Sequence, residues 1–178
     1  MLKWILVLLG LATAFVLGPF VVGMFLPKEH IAVSSITLSR PPDSVWVVLR
    51  DLGGYPNWWQ DIRRSEPDPE ADGREIWIQT DRQGREFPLE VIQSVRPTLM
   101  VTRIADDKLP FSGQWAFEIE PAGLGSRVTV TEEGEVFNPV FRLVARLFLG
   151  YHGTIDRCLE ALGEHFGEQV TTTHHQQD

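Results

Sequence analysis

The sequence predicts an α+β fold in which one antiparallel sheet is covered on one face by a long C-terminal helix. Three observations predict it. The middle of the chain alternates apolar and polar residues with a period of two, which is typical of half-buried strands. The turns between these strands are too short for the crossovers that parallel strands need. The last apolar stripe has helical spacing, and only this stripe has enough apolar area to cover the sheet.

The soluble part of the chain begins with a predicted strand and helix. The strand runs from His30 to Ser39, and its even-numbered residues share one face. Pro42 suits the first turn of a helix, which we expect to run to about Leu52 and to end at Gly53. A second short helical piece is expected from Tyr55 to about Arg64.

Period-two alternation then continues through five predicted strands. They are Glu75–Thr80, Arg85–Val95, Leu99–Ala105, Phe111–Glu120 and Arg127–Val136. The alternation is clearest in the fourth of them, whose inward-facing residues are predicted to be Trp115, Phe117 and Ile119.

The long C-terminal helix is predicted to begin at Asn138, a good N-cap, with Pro139 at the first helical position. Its apolar stripe continues to Phe166 in steps of three and four, and glycines at 150 and 153 are able to bend it. The polar, aperiodic tail, residues 168–178, is expected to be disordered.

An uncharged apolar run, residues 4–26, opens the chain. At about 1.5 Å per residue it is long enough to cross a hydrocarbon core of about 30 Å. We therefore predict a transmembrane anchor over residues 1–29 and a single-pass membrane protein. A cleaved signal peptide is the alternative, although the run is longer than such peptides need. Lys3 favours a cytoplasmic N-terminus and a domain outside the cytoplasm.

Charge and cysteine content exclude several classes of function. The net charge is −8 and no basic run is present, so nucleic-acid binding is not expected. The lone Cys158 excludes an internal disulfide and fits a small buried hydrophobe. No phosphate-binding loop, nucleophile elbow or zinc motif occurs, so we expect neither a cofactor nor a metal.

Three segments in this order resemble a known family. They are RPPDSVWVVLRDLGGYPNWW (Arg40–Trp59), SRVTVTEEGEV (Ser126–Val136) and NPVFRLVARLFLGYHGTIDRCLEAL (Asn138–Leu162). Together they resemble the START-related SRPBCC superfamily, close to its polyketide cyclase/dehydrase and lipid-transport branch, over residues 30–167. The resemblance implies a helix-grip fold, in which a curved antiparallel sheet wraps the C-terminal helix and leaves a hydrophobic cavity. Members of the superfamily bind lipids, sterols or quinones, cyclise aromatic polyketides, or act as co-chaperones.

A ligand pocket is therefore expected between the sheet and the helix. Its apolar lining is predicted to be Trp77, Phe87, Trp115, Phe117, Phe141, Val144, Phe148 and Ile155. The alternative is that these side chains pack a solid core, as protein interiors usually do. Three polar candidates within the pocket are Arg103, Glu132 and His152. The alternative is that Glu132 lies at the rim of the sheet and that His152 merely flanks the helix.

Three functions fit these features. We expect a membrane-tethered protein that binds or transports a hydrophobic, lipid-like small molecule, because a mostly apolar cavity suits such a ligand. A cyclase or dehydratase would need an acid–base pair in the pocket, such as His152 with Glu132. A filled core would instead favour a protein-interaction module. With no catalytic motif present, we expect a binding protein rather than an enzyme.

Overall fold

The computed structural model describes residues 3–4, 15 and 17–175, without the side chains of Phe148 and Leu149. Strands are numbered in chain order: β1 Glu29–Leu38, β2 Ile62–Pro67, β3 Ile76–Asp81, β4 Glu86–Val95, β5 Leu99–Ile104, β6 Phe111–Ala122, β7 Gly125–Val136 and β8 Thr173–His175. The helices are α1 Pro42–Arg50, α2 Pro139–Val144 and α3 Gly153–His165, with a 3₁₀-helix at Leu52–Asn57 and a π-helical turn at Ala145–Leu149.

The strands of the described chain form one sheet in the order β2-β3-β4-β5-β6-β7-β1-β8. Every neighbouring pair is antiparallel, as predicted. Register shifts between Ile62 and Arg64 and between Val91 and Gln93 interrupt the ladders at two points. Such bulges bend a strand and increase its local twist, which helps the sheet to curve.

The core lies between the sheet and two helices. α3 packs on β1 and β7, and α1 packs on β6 and β7. We call the face that they cover the inner face and the opposite face the outer face. Beneath α3 the inner face is filled, because Val128, Val130, Leu159 and Leu162 are each fully buried. The C-terminal helix thus covers the sheet as expected. However, α3 lies over β1 and β7, towards one end of the strand order, rather than over the whole inner face.

The prediction of one continuous C-terminal helix is wrong. Asn138 caps the start as expected, since its side chain accepts a hydrogen bond from the amide of Phe141. The helix then continues into the π-helical turn and ends at Gly150, which has a φ of 67°. Glycine adopts this left-handed conformation without steric cost, so the helix breaks there and α3 starts afresh at Gly153.

The predicted helical piece from Tyr55 to Arg64 is also wrong in its second half. The 3₁₀-helix ends at Asn57, and β2 begins at Ile62. Pro56 lies inside the short helix and has no amide proton to continue an α-helical ladder. Within β2 only Ile62 and Ser65 are buried, so the strand lacks the alternation that would have indicated it.

The structure describes part of the N-terminal segment and most of the C-terminal tail. Residues 5–14 and 16 of the predicted span at 4–26 lie outside the described residues. Across the described residues, no helix combines the length and the apolar character needed to cross a membrane. In the tail, Thr173–His175 form β8 and pair with β1, while residues 176–178 lie outside the described residues.

Candidate functional site

Half-buried aromatic and aliphatic side chains line the inner face of β3, β4 and β6. Trp115 lies in one register row with Thr102 and Val91, and side chains in one row share a face. Because successive residues alternate faces, Phe87 and Leu89 lie on the same face as Val91. Trp77 is the register partner of Leu89. All of these apolar side chains pack against the core but remain partly exposed: Trp77, Phe87, Leu89, Val91 and Trp115. We call this set the aromatic row.

An aromatic cluster holds Trp115 in place. Its ring stacks on Trp59 with ring centroids 5.7 Å apart, and Phe117 lies 5.8 Å away. Trp58 also stacks on Trp59, and both are buried. The indole N–H groups of Trp58 and Trp59 are buried without a hydrogen-bond partner among the described residues.

Two predicted pocket residues belong to the packed core instead. Phe117 is 3% exposed and Ile155 is fully buried, and both contribute to the cluster beneath the helices. Ile155 lies on the face of α3 that rests on β1 and β7. These side chains therefore support the site from beneath, whereas the aromatic row forms its open surface.

Glu132 and His30 form the polar end of this surface. Glu132 is the register partner of Trp115, so its side chain lies next to the aromatic row. Its Oε1 atom is 3.4 Å from Nε2 of His30, and Oε2 is buried without a hydrogen-bond partner among the described residues. The His30 ring stacks on Tyr151 with centroids 4.0 Å apart. Burying a carboxylate oxygen without a partner costs free energy.

The sequence did not single out His30. The alternation of residues along the strand could have indicated it. His30 is an even-numbered residue of β1 and therefore shares the inner face with Ala32, Ser34 and Ile36. The pairing with Glu132 joins residues about 100 positions apart in the chain and cannot be deduced from local pattern.

His152, the third polar candidate, is held in a separate network. Its Nδ1 atom lies 3.1 Å from Oγ of Ser34, which donates a 2.8 Å hydrogen bond to Asp156. Its ring stacks on His174 of β8, and Nε2 of His174 lies 2.8 Å from the Asp156 carboxylate. Burial lowers the pKa of His152, and the charge of His174 lowers it further, while Asp156 and Glu132 partly oppose these effects.

This network contains a serine, a histidine and an aspartate, but it is not a hydrolytic triad. Ser34 is fully buried, so its hydroxyl cannot reach a substrate. That hydroxyl also donates directly to the aspartate, whereas in a triad the histidine lies between the two. No cluster of side chains suited to a metal ion is found within the described ranges.

Arg103, predicted as a polar pocket residue, lies on the opposite face of the sheet from the aromatic row. Met100 and Thr102 of β5 occupy the inner face, so alternation turns Arg103 to the outer face. There its guanidinium binds the buried Glu90 carboxylate at 2.8 Å. Arg103 also lines an open hollow of about 600 Å³ on the outer face, together with Gln114 and Glu133.

The helical part of the predicted pocket lies elsewhere too. Phe141 is 49% exposed and Val144 is 36% exposed, so these side chains of α2 face away from the core. The break at Gly150 separates α2 from α3, and α2 packs against β7. The side chain of Phe148 is outside the described residues.

The order of elements and the sheet curved around α3 define a helix-grip fold. The family model described as "Polyketide cyclase / dehydrase and lipid transport" matches residues 29–167, and the chain belongs to this family. The family and the fold support a ligand-binding or cyclase-like function. No curated protein sequence matches the chain.

Solved structures show the same fold. A START superfamily protein from Mycobacterium smegmatis is 19% identical, with a TM-score of 0.60 over 76% of this chain and 96% of that chain. Norcoclaurine synthase from Thalictrum flavum is 15% identical, with a TM-score of 0.60 over 79% and 88% of the two chains. The Zhui aromatase/cyclase from Streptomyces sp. R1128 is 14% identical, with a TM-score of 0.59 over 76% and 93%. At these identities the likeness establishes the fold alone.

Proposed function

We propose that the protein binds a hydrophobic, lipid-like small molecule against the aromatic row of its inner face. The observation that carries the proposal is the partial exposure of Trp77, Phe87 and Trp115 on the face that also holds the core. Side chains of this size are costly to leave in contact with water. An apolar ligand would cover them and complete the inner face where α3 does not. The filled core beneath α3 alone would favour an interaction module, and the exposed aromatic surface beside it is what favours ligand binding instead.

Binding would be driven by desolvation. Each Å² of apolar surface removed from water contributes about 25 cal/mol, less the cost of association. The Glu132 side chain lies beside Trp115 and is partly exposed, so a ligand with a hydrogen-bond donor at one end would bond to its carboxylate. The aromatic row would thus supply affinity, and Glu132 would orient the ligand.

The proposal includes a membrane tether. Residues 4–26 contain no charged side chain and have the length of a bilayer-spanning helix. A tether of this kind would keep the domain close to a reservoir of apolar ligand. Lys3 favours the orientation that leaves the domain outside the cytoplasm.

Native mass spectrometry of the full chain in detergent, combined with lipid extraction, tests the binding proposal. We expect a reproducible apolar species to accompany the wild type and to be depleted in Phe87→Ala and Trp115→Leu. Ile92→Ala is the matched control, because Ile92 is an exposed residue of the same strand as Phe87. Equal occupancy in all variants, or no bound species in any preparation, would overturn the proposal.

A second candidate function is a cyclase- or dehydratase-like reaction. The Glu132–His30 contact favours it, because a carboxylate next to an imidazole can transfer a proton beside the aromatic row. The extracted molecule can be returned to wild type and to Glu132→Gln. A product of altered mass or altered chromatographic retention formed only by the wild type supports an enzyme, because ring closure alone leaves the mass unchanged. Recovery of the unchanged molecule supports a binding protein.

A further inference from the structure

We propose that α2 and the π-helical turn after it lie on the membrane surface, with their apolar side chains in the lipid. This inference rests on the proposed tether and adds a second membrane contact that is remote from it in sequence. The side chains concerned are large, apolar and unusually exposed: Val140 40%, Phe141 49%, Val144 36% and Leu147 64%. Phe137, just before the helix, is 40% exposed.

The apolar surface of α2 is continuous with that of the N-terminal segment. The helical residues 17–24 approach α2 so closely that the Gly23 backbone contacts the carbonyl of Pro139. Arg142 of α2 donates a 2.8 Å hydrogen bond to the carbonyl of Leu26. The N-terminal segment contributes further exposed apolar side chains to the same region: Phe20, Val21, Val22, Met24 and Phe25.

The two arginines of this helical stretch suit a position at the lipid–water boundary. Arg142 is buried and bonded to two backbone carbonyls, so it presents no charge to the surface. Arg146 is exposed one turn later, where a long basic side chain can extend to lipid phosphates. The chain as a whole is acidic, with a net charge of −8, so apolar insertion rather than overall charge would bring this region to the bilayer.

A lipid surface fits this patch better than a second copy of the chain. The patch is joined by direct contacts to a segment of membrane-spanning length and composition, so both meet the same surface. Interfacial helices bury their apolar face roughly 5–10 Å into the headgroup and acyl boundary. We expect the Leu147 and Val140 side chains to reach that depth.

Site-directed labelling of the full chain in nanodiscs tests this inference. The natural thiol will not interfere, because Cys158 is buried and burial raises the pKa of its thiol. Leu147→Cys and Val140→Cys each carry an environment-sensitive fluorophore. The matched control is Leu124→Cys, in the fully exposed turn between β6 and β7. Spin-labelled lipids serve as quenchers within the bilayer, and iodide serves as the aqueous quencher.

At positions 147 and 140 we expect blue-shifted emission, loss of intensity with spin-labelled lipid, and protection from iodide, none of which is expected at position 124. Emission at 147 and 140 that matches position 124 in incorporated protein overturns this inference and leaves the tether intact. Protection from iodide without quenching by lipid indicates a protein partner, such as a second copy, and also overturns it. A chain that fails to incorporate into nanodiscs overturns both proposals.

Discussion

The imidazole rings of His152 and His174 stack with their centroids 4.1 Å apart, which brings the C-terminal strand β8 against the start of α3. Asp156 bonds to both Ser34 and His174 and completes the contact. Two rings that can each acquire a positive charge thus face one another, with the carboxylates of Asp156 and Glu132 nearby. This arrangement ties the polar tail of the chain to its core, and it leads to a pH dependence.

The free energy of unfolding is expected to fall as the pH drops below about 6.5, the ordinary pKa of histidine. Because the pKa of His152 is lowered in the folded protein, the unfolded chain binds its proton more readily in this range. In denaturant titrations, the free energy of unfolding of His152→Gln should fall less between pH 7.5 and pH 5 than that of the wild type. His165→Gln, at the exposed last residue of α3, is the control. If both variants lose as much stability in acid as the wild type, His152 is not responsible.

Arg142 should contribute strongly to stability, although it is charged and lies near the apolar surface. It is 5% exposed and donates to the carbonyls of Leu26 and Phe137, so Arg142→Met removes two charge-assisted hydrogen bonds. We expect a loss of about 1.5–3 kcal/mol for each such bond that is not replaced. Thermal unfolding of the detergent-solubilised chain measures this loss of stability.

The exposed Arg146 provides the comparison, since Arg146→Met should change stability by no more than about 0.5 kcal/mol. Equal melting temperatures for Arg142→Met and Arg146→Met would show that the contact between α2 and the N-terminal segment does not form.

The space beneath α3 is filled, and Ile155→Ala tests this directly. Ile155 is fully buried in the core, so its truncation should cost about 2–5 kcal/mol in the free energy of unfolding. Leu124→Ala, at a fully exposed turn, should cost less than about 0.5 kcal/mol. Chemical denaturation provides both values. A change at Ile155 as small as that at Leu124 would indicate a hollow beneath the helix.

Glu132 is expected to serve ligand binding rather than stability. Its Oε2 atom is buried without a partner among the described residues, and its contact with His30 is long at 3.4 Å. Glu132→Met should therefore change the free energy of unfolding by no more than about 1 kcal/mol while reducing ligand occupancy. A loss of several kcal/mol with unchanged occupancy would assign Glu132 a structural role instead.

Regular elements of this fold are predictable from the sequence where local chemistry determines them. The alternation that places Trp115 and Phe117 on the inner face is correct, as is the helix start at Asn138. Both depend on neighbouring residues alone: a period of two for a strand, and a capping side chain for a helix. The same local reasoning predicted the antiparallel sheet.

Other features depend on contacts between distant residues and could not be predicted. The break at Gly150 is one of them, since glycine permits a bend without requiring one. The pairing of the polar β8 with β1 has no hydrophobic signal. The residues predicted to line one pocket are divided among the core, the aromatic row and the exposed helix α2. This division follows from the position of α3 over β1 and β7, which the sequence does not specify.

Photo-crosslinking with a fatty acid that carries a diazirine tests most directly whether the inner face binds an apolar ligand. The full chain is labelled in nanodiscs with and without excess unlabelled fatty acid, and the modified peptides are identified by mass spectrometry. We predict labelling that is abolished by competition in the peptides of β3, β4 and β6, at or next to Trp77, Phe87 and Trp115. Labelling confined to α2 and the N-terminal segment, and unaffected by competition, would contradict the account.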